Sequence, residues 1–143
     1  MKNIAAIFTI GAALAVTACA ETGAADDEVR YARASNAEML ANAEPVGEAR
    51  SCIPITQIRS SQGVSERAMV FELSGGDYYR SEFGVDCPGA RRDEAFRYRT
   101  SLTQLCNNEI LTFFDPQTAM DYGSCALGEF VPIGDRELFR DAD

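Results

Sequence analysis

The sequence predicts a small all-β domain, an antiparallel sandwich, roll or barrel stapled by two disulfides, and three observations carry that prediction. Short apolar or alternating runs separated by turn residues recur from Arg50 to Ile133. Four cysteines, Cys52, Cys87, Cys106 and Cys125, fall inside the same stretch, and no pair of them has C-x-x-C spacing. The 94 residues from Arg50 to Asp143 suffice for one modest core, a size at which covalent staples often supplement burial.

The chain opens differently. Lys2 is followed by an uncharged run from Ile4 to Ala18 that includes Ile7, Phe8, Ile10, Leu14 and Val16, the layout of a secretory signal peptide. As a helix, such a run reaches only about 22 Å against a hydrocarbon core of roughly 30 Å, so residues 1–18 are expected to be an address and not a membrane span. The run ends in Val16-Thr17-Ala18-Cys19, which resembles the bacterial lipobox. That resemblance implies that the Cys19 thiol receives a diacylglycerol, that cleavage falls just before it, and that the freed amine is acylated. Stable anchoring takes more than one acyl chain, and this modification would supply it. By resemblance to lipoprotein sorting rules, Ala20 in place of Asp implies the periplasmic face of the outer membrane.

Residues 19–49 are rich in Ala and acidic groups and hold a single aromatic, Tyr31, so they are expected to form an acidic tether with little apolar surface to bury. "DDEVRYARASNAEMLANA", Asp26 to Ala43, has good helix formers and acids near its start, and Pro45-Val46-Gly47 would stop a helix there. From Arg50 onward the pattern becomes that of strands. "SCIPITQI" is an apolar stretch in which Pro54 argues against a central sheet position. "ERAMVFEL", Glu66 to Leu73, and "YYRSEF" flank the turn "SGGD", Ser74 to Asp77, and predict a hairpin. "AFRYRT" alternates Phe96 and Tyr98 with Arg97 and Arg99, which sends the rings inward and the guanidinium groups outward. "EILTFF", Glu109 to Phe114, and "CALGEFVPI", Cys125 to Ile133, predict two more strands joined by a polar loop with Asp115 and Asp121.

Four cysteines in an exported chain are expected to be oxidised. They allow three connectivities, among which spacing does not choose. The expectation adopted is Cys87 with Cys106 and Cys52 with Cys125, because the second bridge would tie the first strand to one of the last.

Residues 19–143 carry 12 Arg against 22 Asp plus Glu, a formal charge of −10, which disfavours nucleic acid as a partner. They contain no His and no Lys. A Ser-His-Asp triad, an imidazole metal site, a Schiff base and a Ser-Lys dyad are thereby excluded. Paired-carboxylate glycosidase chemistry survives, although no two acids are placed by sequence for it. No catalytic residue, metal ligand or cofactor is therefore expected. Arg97 and Arg99 could grip a carboxylate or phosphate, or pair with acids on the next strand. "RRDE", Arg91 to Glu94, reads as a solvated turn. Asn107, Asn108, Glu109, Asp115 and Asp121 offer oxygen ligands for Ca²⁺, but their spacing matches no calcium loop. Tyr78-Tyr79 places one ring in the core and leaves the other exposed, a potential anchor for a partner.

The blocks "RSCIPITQI", "DCPGA", "FRYRTSLTQLCNNEI" and "CALGEFVPI" resemble those of a proteobacterial family of small uncharacterised lipoproteins, domains of unknown function. The resemblance implies secretion and a compact cysteine-bearing domain and supplies no catalytic residues. The chain departs from the family's pattern at "QGVSE", Gln62 to Glu66, where acidic residues are expected, and this weighs against a metal role for that loop. The expected function is that of a cell-envelope lipoprotein: a non-catalytic binding or accessory module whose partners are the membrane, through lipidated Cys19, and a protein or envelope component. The alternatives are an inhibitor of a cationic cell-wall enzyme such as lysozyme, and a carboxylate-dependent cell-wall hydrolase.

Overall fold

The computed structural model describes residues 36–91 and 95–140. Residues 36–42 are helical (α1), and eight strands follow: β1 Cys52–Pro54, β2 Ile58–Ser65, β3 Ala68–Leu73, β4 Asp77–Phe83, β5 Ala95–Arg97, β6 Gln104–Cys106, β7 Ile110–Phe114 and β8 Asp121–Asp135. A short helix, α2 Arg136–Arg140, follows directly from β8. Six strands form an antiparallel half-barrel in the order β2-β3-β4-β8-β7-β5, and β1 pairs with β6 in a separate two-stranded ribbon.

The hairpin expected at Ser74 to Asp77 joins β3 and β4, where Gly76 takes a φ of 95° and donates its N–H to the Leu73 carbonyl. The curl of the sheet comes from β8, which is long enough to serve two neighbours. Its first half pairs with β7 and its second half with β4. The register against β4 slips between Ser81 and Phe83, the mark of a β-bulge. Gly128 lies there, and a Cβ on it would stand 2.3 Å from the Glu82 carbonyl oxygen, so the backbones approach as only glycine allows. Buried Ser81 donates its hydroxyl to the Gly128 carbonyl and satisfies a group that the irregular ladder would otherwise strand.

The concave face holds the main core, including Met69, Phe71, Tyr79, Phe83, Leu111, Phe113, Leu127 and Phe130, with Phe71 edge-on to Phe130 and Phe83 edge-on to Phe113. Ile53 and Leu105, directly opposed in the β1–β6 ribbon, close this core from the side. Phe96 and Tyr98 pack against it from the inward face, as their alternation predicts. Between β4 and β5, the 3-10 turn Pro88–Arg91 lies against β2 so closely that a Cβ on Gly63 would fall 1.3 Å from the Ala90 carbonyl oxygen.

Both disulfides form, but in a different connectivity from the one expected: Cys52 is bonded to Cys106 and Cys87 to Cys125. The reason is strand order. β1 pairs with β6 in a register that sets Cys52 directly opposite Cys106, with their Cα atoms 4.0 Å apart. Cys125 lies in the first third of β8, opposite Leu111 of β7, and joins Cys87 in the main core.

The convex face is covered where the sequence predicts solvent. Leu40 on α1 is 6% exposed and packs with Val64, Ala68, Val70 and Ile133 in a second, smaller core. Residues 36–49, expected as the end of a spacer, therefore lie on the domain, and the Val46 N–H donates to the Pro132 carbonyl. Arg80 fastens the end of the helix: its Nη1 donates to the Ala41 and Ala43 carbonyls at 3.0 and 2.7 Å, where unpaired carbonyls and the helix dipole favour a cation. The part of the expected helix before residue 36 lies outside the described residues. β3 is thus buried on both faces, which explains why Ala68 to Phe71 read as a continuous apolar run.

Candidate functional site

The recess with the most distinctive chemistry lies on the convex face, between α1, the β2–β3–β4 meander and α2, and encloses about 500 Å³. Its apolar wall is made by Met39 and Leu40 of α1, Val70 of β3 and Phe139 of α2. Its polar side carries Arg59, Ser60, Glu72, Tyr78 and Arg136. Volumes of 300–1,000 Å³ with apolar walls and a few placed polar groups are typical of small-molecule sites.

Glu72 is the centre of the polar side. Its side chain is only 15% exposed, and both carboxylate oxygens are engaged, Oε1 by the Arg136 guanidinium and Oε2 by the Ser60 hydroxyl at 3.0 Å. Burial pushes the Glu72 carboxyl up, but the hydrogen bonds from Arg136 and Ser60 and the charges of Arg136 and Arg59 outweigh it, so the net displacement is downward. Arg136 is displaced upward in turn, chiefly by its hydrogen bond to Glu72. Tyr78 stands beside this pair with its ring edge-on to Phe139, the centroids 5.1 Å apart. The exposed position expected for one of the tandem tyrosines is thus corrected: Tyr79 is in the main core and Tyr78 is half-buried in the second one, because α1 and α2 cover that face.

Of the residues singled out from sequence, Arg97 pairs with an acid, though on β8, one strand beyond its neighbour β7. Its Nη2 meets both oxygens of Asp121 at 2.7 and 2.6 Å, and its guanidinium lies 5.2 Å from the centroid of Phe114. Arg99 lines a different recess, on the outer side of β5, β7 and β8, with Glu109 and Thr112. Of the oxygen ligands considered for Ca²⁺, Asn108, Glu109 and Asp121 line this same recess and Asp115 does not, and among the described residues no three acids converge on one point. Asp115 Oδ1 accepts from the Gln117 and Thr118 N–H groups and its Oδ2 from the Tyr122 hydroxyl, an Asx turn, and the backbone hydrogen bonds hold its carboxyl below the usual range. Asp121 is occupied by Arg97, and the backbone of Asn107 to Glu109 turns the chain between the ribbon and β7. Cys19, the signal peptide and residues 92–94 lie outside the described residues, as does the Arg91 side chain.

Sequence reasoning missed Arg59, Ser60, Glu72 and Arg136. One signal was available: Glu72 interrupts the apolar run "AMVFEL", and a carboxylate in a strand covered on both faces needs a partner. The partners themselves come from β2 and from the far end of the chain. Comparison with protein-family models, with curated proteins and with solved structures finds no match for this chain.

Proposed function

We propose that this chain is a cell-envelope lipoprotein, anchored through Cys19 on the periplasmic face of the outer membrane, whose β domain is a non-catalytic binding or accessory module. The observation that carries the binding half of this reading is the convex recess, where a fully engaged Glu72 holds Arg136 and Ser60, and Arg59 stands free of an ion pair among the described residues, beside an apolar wall. Two disulfides support an oxidising, extracytoplasmic setting. Binding is favoured over carboxylate-dependent hydrolysis because the displaced carboxyls among the described residues, Glu72 and Asp115, are held ionised, whereas a general acid needs its proton retained near neutrality.

The anchor is tested by expressing the full chain in a Gram-negative host and weighing its mature N-terminus. An acylated Cys19 is expected at that terminus, in the outer-membrane fraction, and Cys19→Ser should yield an unprocessed precursor. A mature protein that starts elsewhere, or that begins with an unmodified cysteine, would overturn the anchoring.

A further inference from the structure

Among the described residues, one guanidinium lines the convex recess without a carboxylate of its own. Arg67, Arg80, Arg97 and Arg136 are ion-paired, and Arg50 stacks over Tyr79. Arg59 feels the charge of Glu72, but among the described residues it forms no direct ion pair, and both Glu72 oxygens are already taken by Arg136 and Ser60. In a chain with a net charge of −9, an Arg beside a recess has many carboxylates to choose from. The backbone explains its position. The β2–β3 register slips between Ile58 and Ser60, making Arg59 the extra residue of a β-bulge. In a regular strand Arg59 and Ser60 would face opposite sides of the sheet; at the bulge both line the same recess. Bulges commonly re-aim a side chain in this way.

From this geometry we infer that the convex recess binds a small amphipathic anion, whose carboxylate or phosphate head pairs with Arg59 while its apolar body lies against Met39, Leu40 and Phe139. The inference names the ligand class of the binding module and rests on that reading. Glu72 contributes by holding Arg136 and Ser60 in place, so the recess, lined by Arg59, Arg136 and this one half-buried carboxylate among the described residues, keeps an excess of positive charge. The apolar wall comes from both helices, so the ligand would also bridge α1 and α2.

The test is a titration of the full-length protein with octanoate and with octyl phosphate, followed through the backbone amides of Ser60, Gln62, Glu72 and Tyr78 by two-dimensional NMR. Saturable shifts at those amides are expected with at least one of the two anions, and comparing them tells carboxylate from phosphate recognition. Arg59→Gln, at an exposed position on a bulge, should weaken binding about ten- to a hundredfold. Arg99→Gln, an exposed arginine on another recess, should leave binding unchanged. Equal saturable shifts with octanol or octyltrimethylammonium would overturn the role of the anionic head, and equal loss in the Arg99 variant would overturn that of Arg59. Absence of saturable shifts with both anions would overturn the site while leaving the lipid anchor, read by mass at Cys19, standing on its own.

Discussion

Removing the two disulfides one at a time separates what a cross-link does to the unfolded chain from what its atoms do in the core. The bridges span similar lengths of chain, 54 residues for Cys52–Cys106 and 38 for Cys87–Cys125, and the chain-entropy relation assigns them about 4.2 and about 3.9 kcal/mol. Replacing either pair by alanine should therefore cost nearly the same, on the order of 15–30 °C in melting temperature for a domain of this size. Serine should split the pairs. Cys87 and Cys125 are 1% and 6% exposed, so two hydroxyls would enter an apolar core at about 1–3 kcal/mol each. Cys52 and Cys106 are half-buried at the ribbon, where a hydroxyl keeps access to water. The measurement is urea unfolding of four full-length double variants by circular dichroism, comparing serine with alanine at each pair. A serine penalty of about 2–6 kcal/mol at positions 87 and 125, and close to none at 52 and 106, is expected. Equal penalties at the two pairs, or an alanine pair costing less than about 1 kcal/mol, would refute the reasoning. The pairing itself is checked by peptide mapping. Trypsin leaves Cys106 and Cys125 together in residues 100–136, so a further cleavage, as at Met120, must precede the non-reducing mass analysis.

Gly63→Ala should destabilise the domain by about 1–3 kcal/mol, because its methyl would meet the Ala90 carbonyl and the turn behind it is held by the Cys87–Cys125 bridge. Gly84→Ala, whose Cβ would meet nothing within 4 Å, is the control and should be neutral or slightly stabilising in the same urea titration; equal losses would sink the close-contact argument. Acid titration of stability should reveal Glu72. Its folded carboxyl lies below the ordinary glutamate value of 4.5, so its contribution is present above that pH and is lost as the pH falls through the lower folded value. Glu72→Gln should therefore be less stable than the wild type at neutral pH and should converge on it in acid; a gap that widened on acidification would contradict the sign.

The strands were legible where local chemistry was sufficient. The Ser74–Asp77 turn, the inward alternation of Phe96 and Tyr98 and the run from Glu109 to Phe114 follow from turn preferences and a period of two, which neighbouring residues alone express. The second face of β3 and β4 was not legible in the same way. The run Ala68–Met69–Val70–Phe71 is apolar at every position, but its sequence does not say what lies on the far side; α1, read as a spacer, supplies Leu40 from 28 residues before Ala68. The half-buried Arg80 makes the same point, because a guanidinium in a strand becomes a helix clamp only when the helix end arrives.

By itself the sequence determined an antiparallel β architecture, the oxidation of the four late cysteines and the poverty of catalytic side chains, all of which depend on composition or on neighbours a few residues apart. Tertiary structure alone decided which cysteines pair and where a ligand could sit. Cys52 meets Cys106 because a ribbon forms between strands half a domain apart, and the recess exists because Arg59, Glu72 and Arg136 are brought together by a bulge, a hairpin and the start of α2. Such encounters depend on strand order and register, which the whole core selects at once through burial, and no short stretch of residues encodes them.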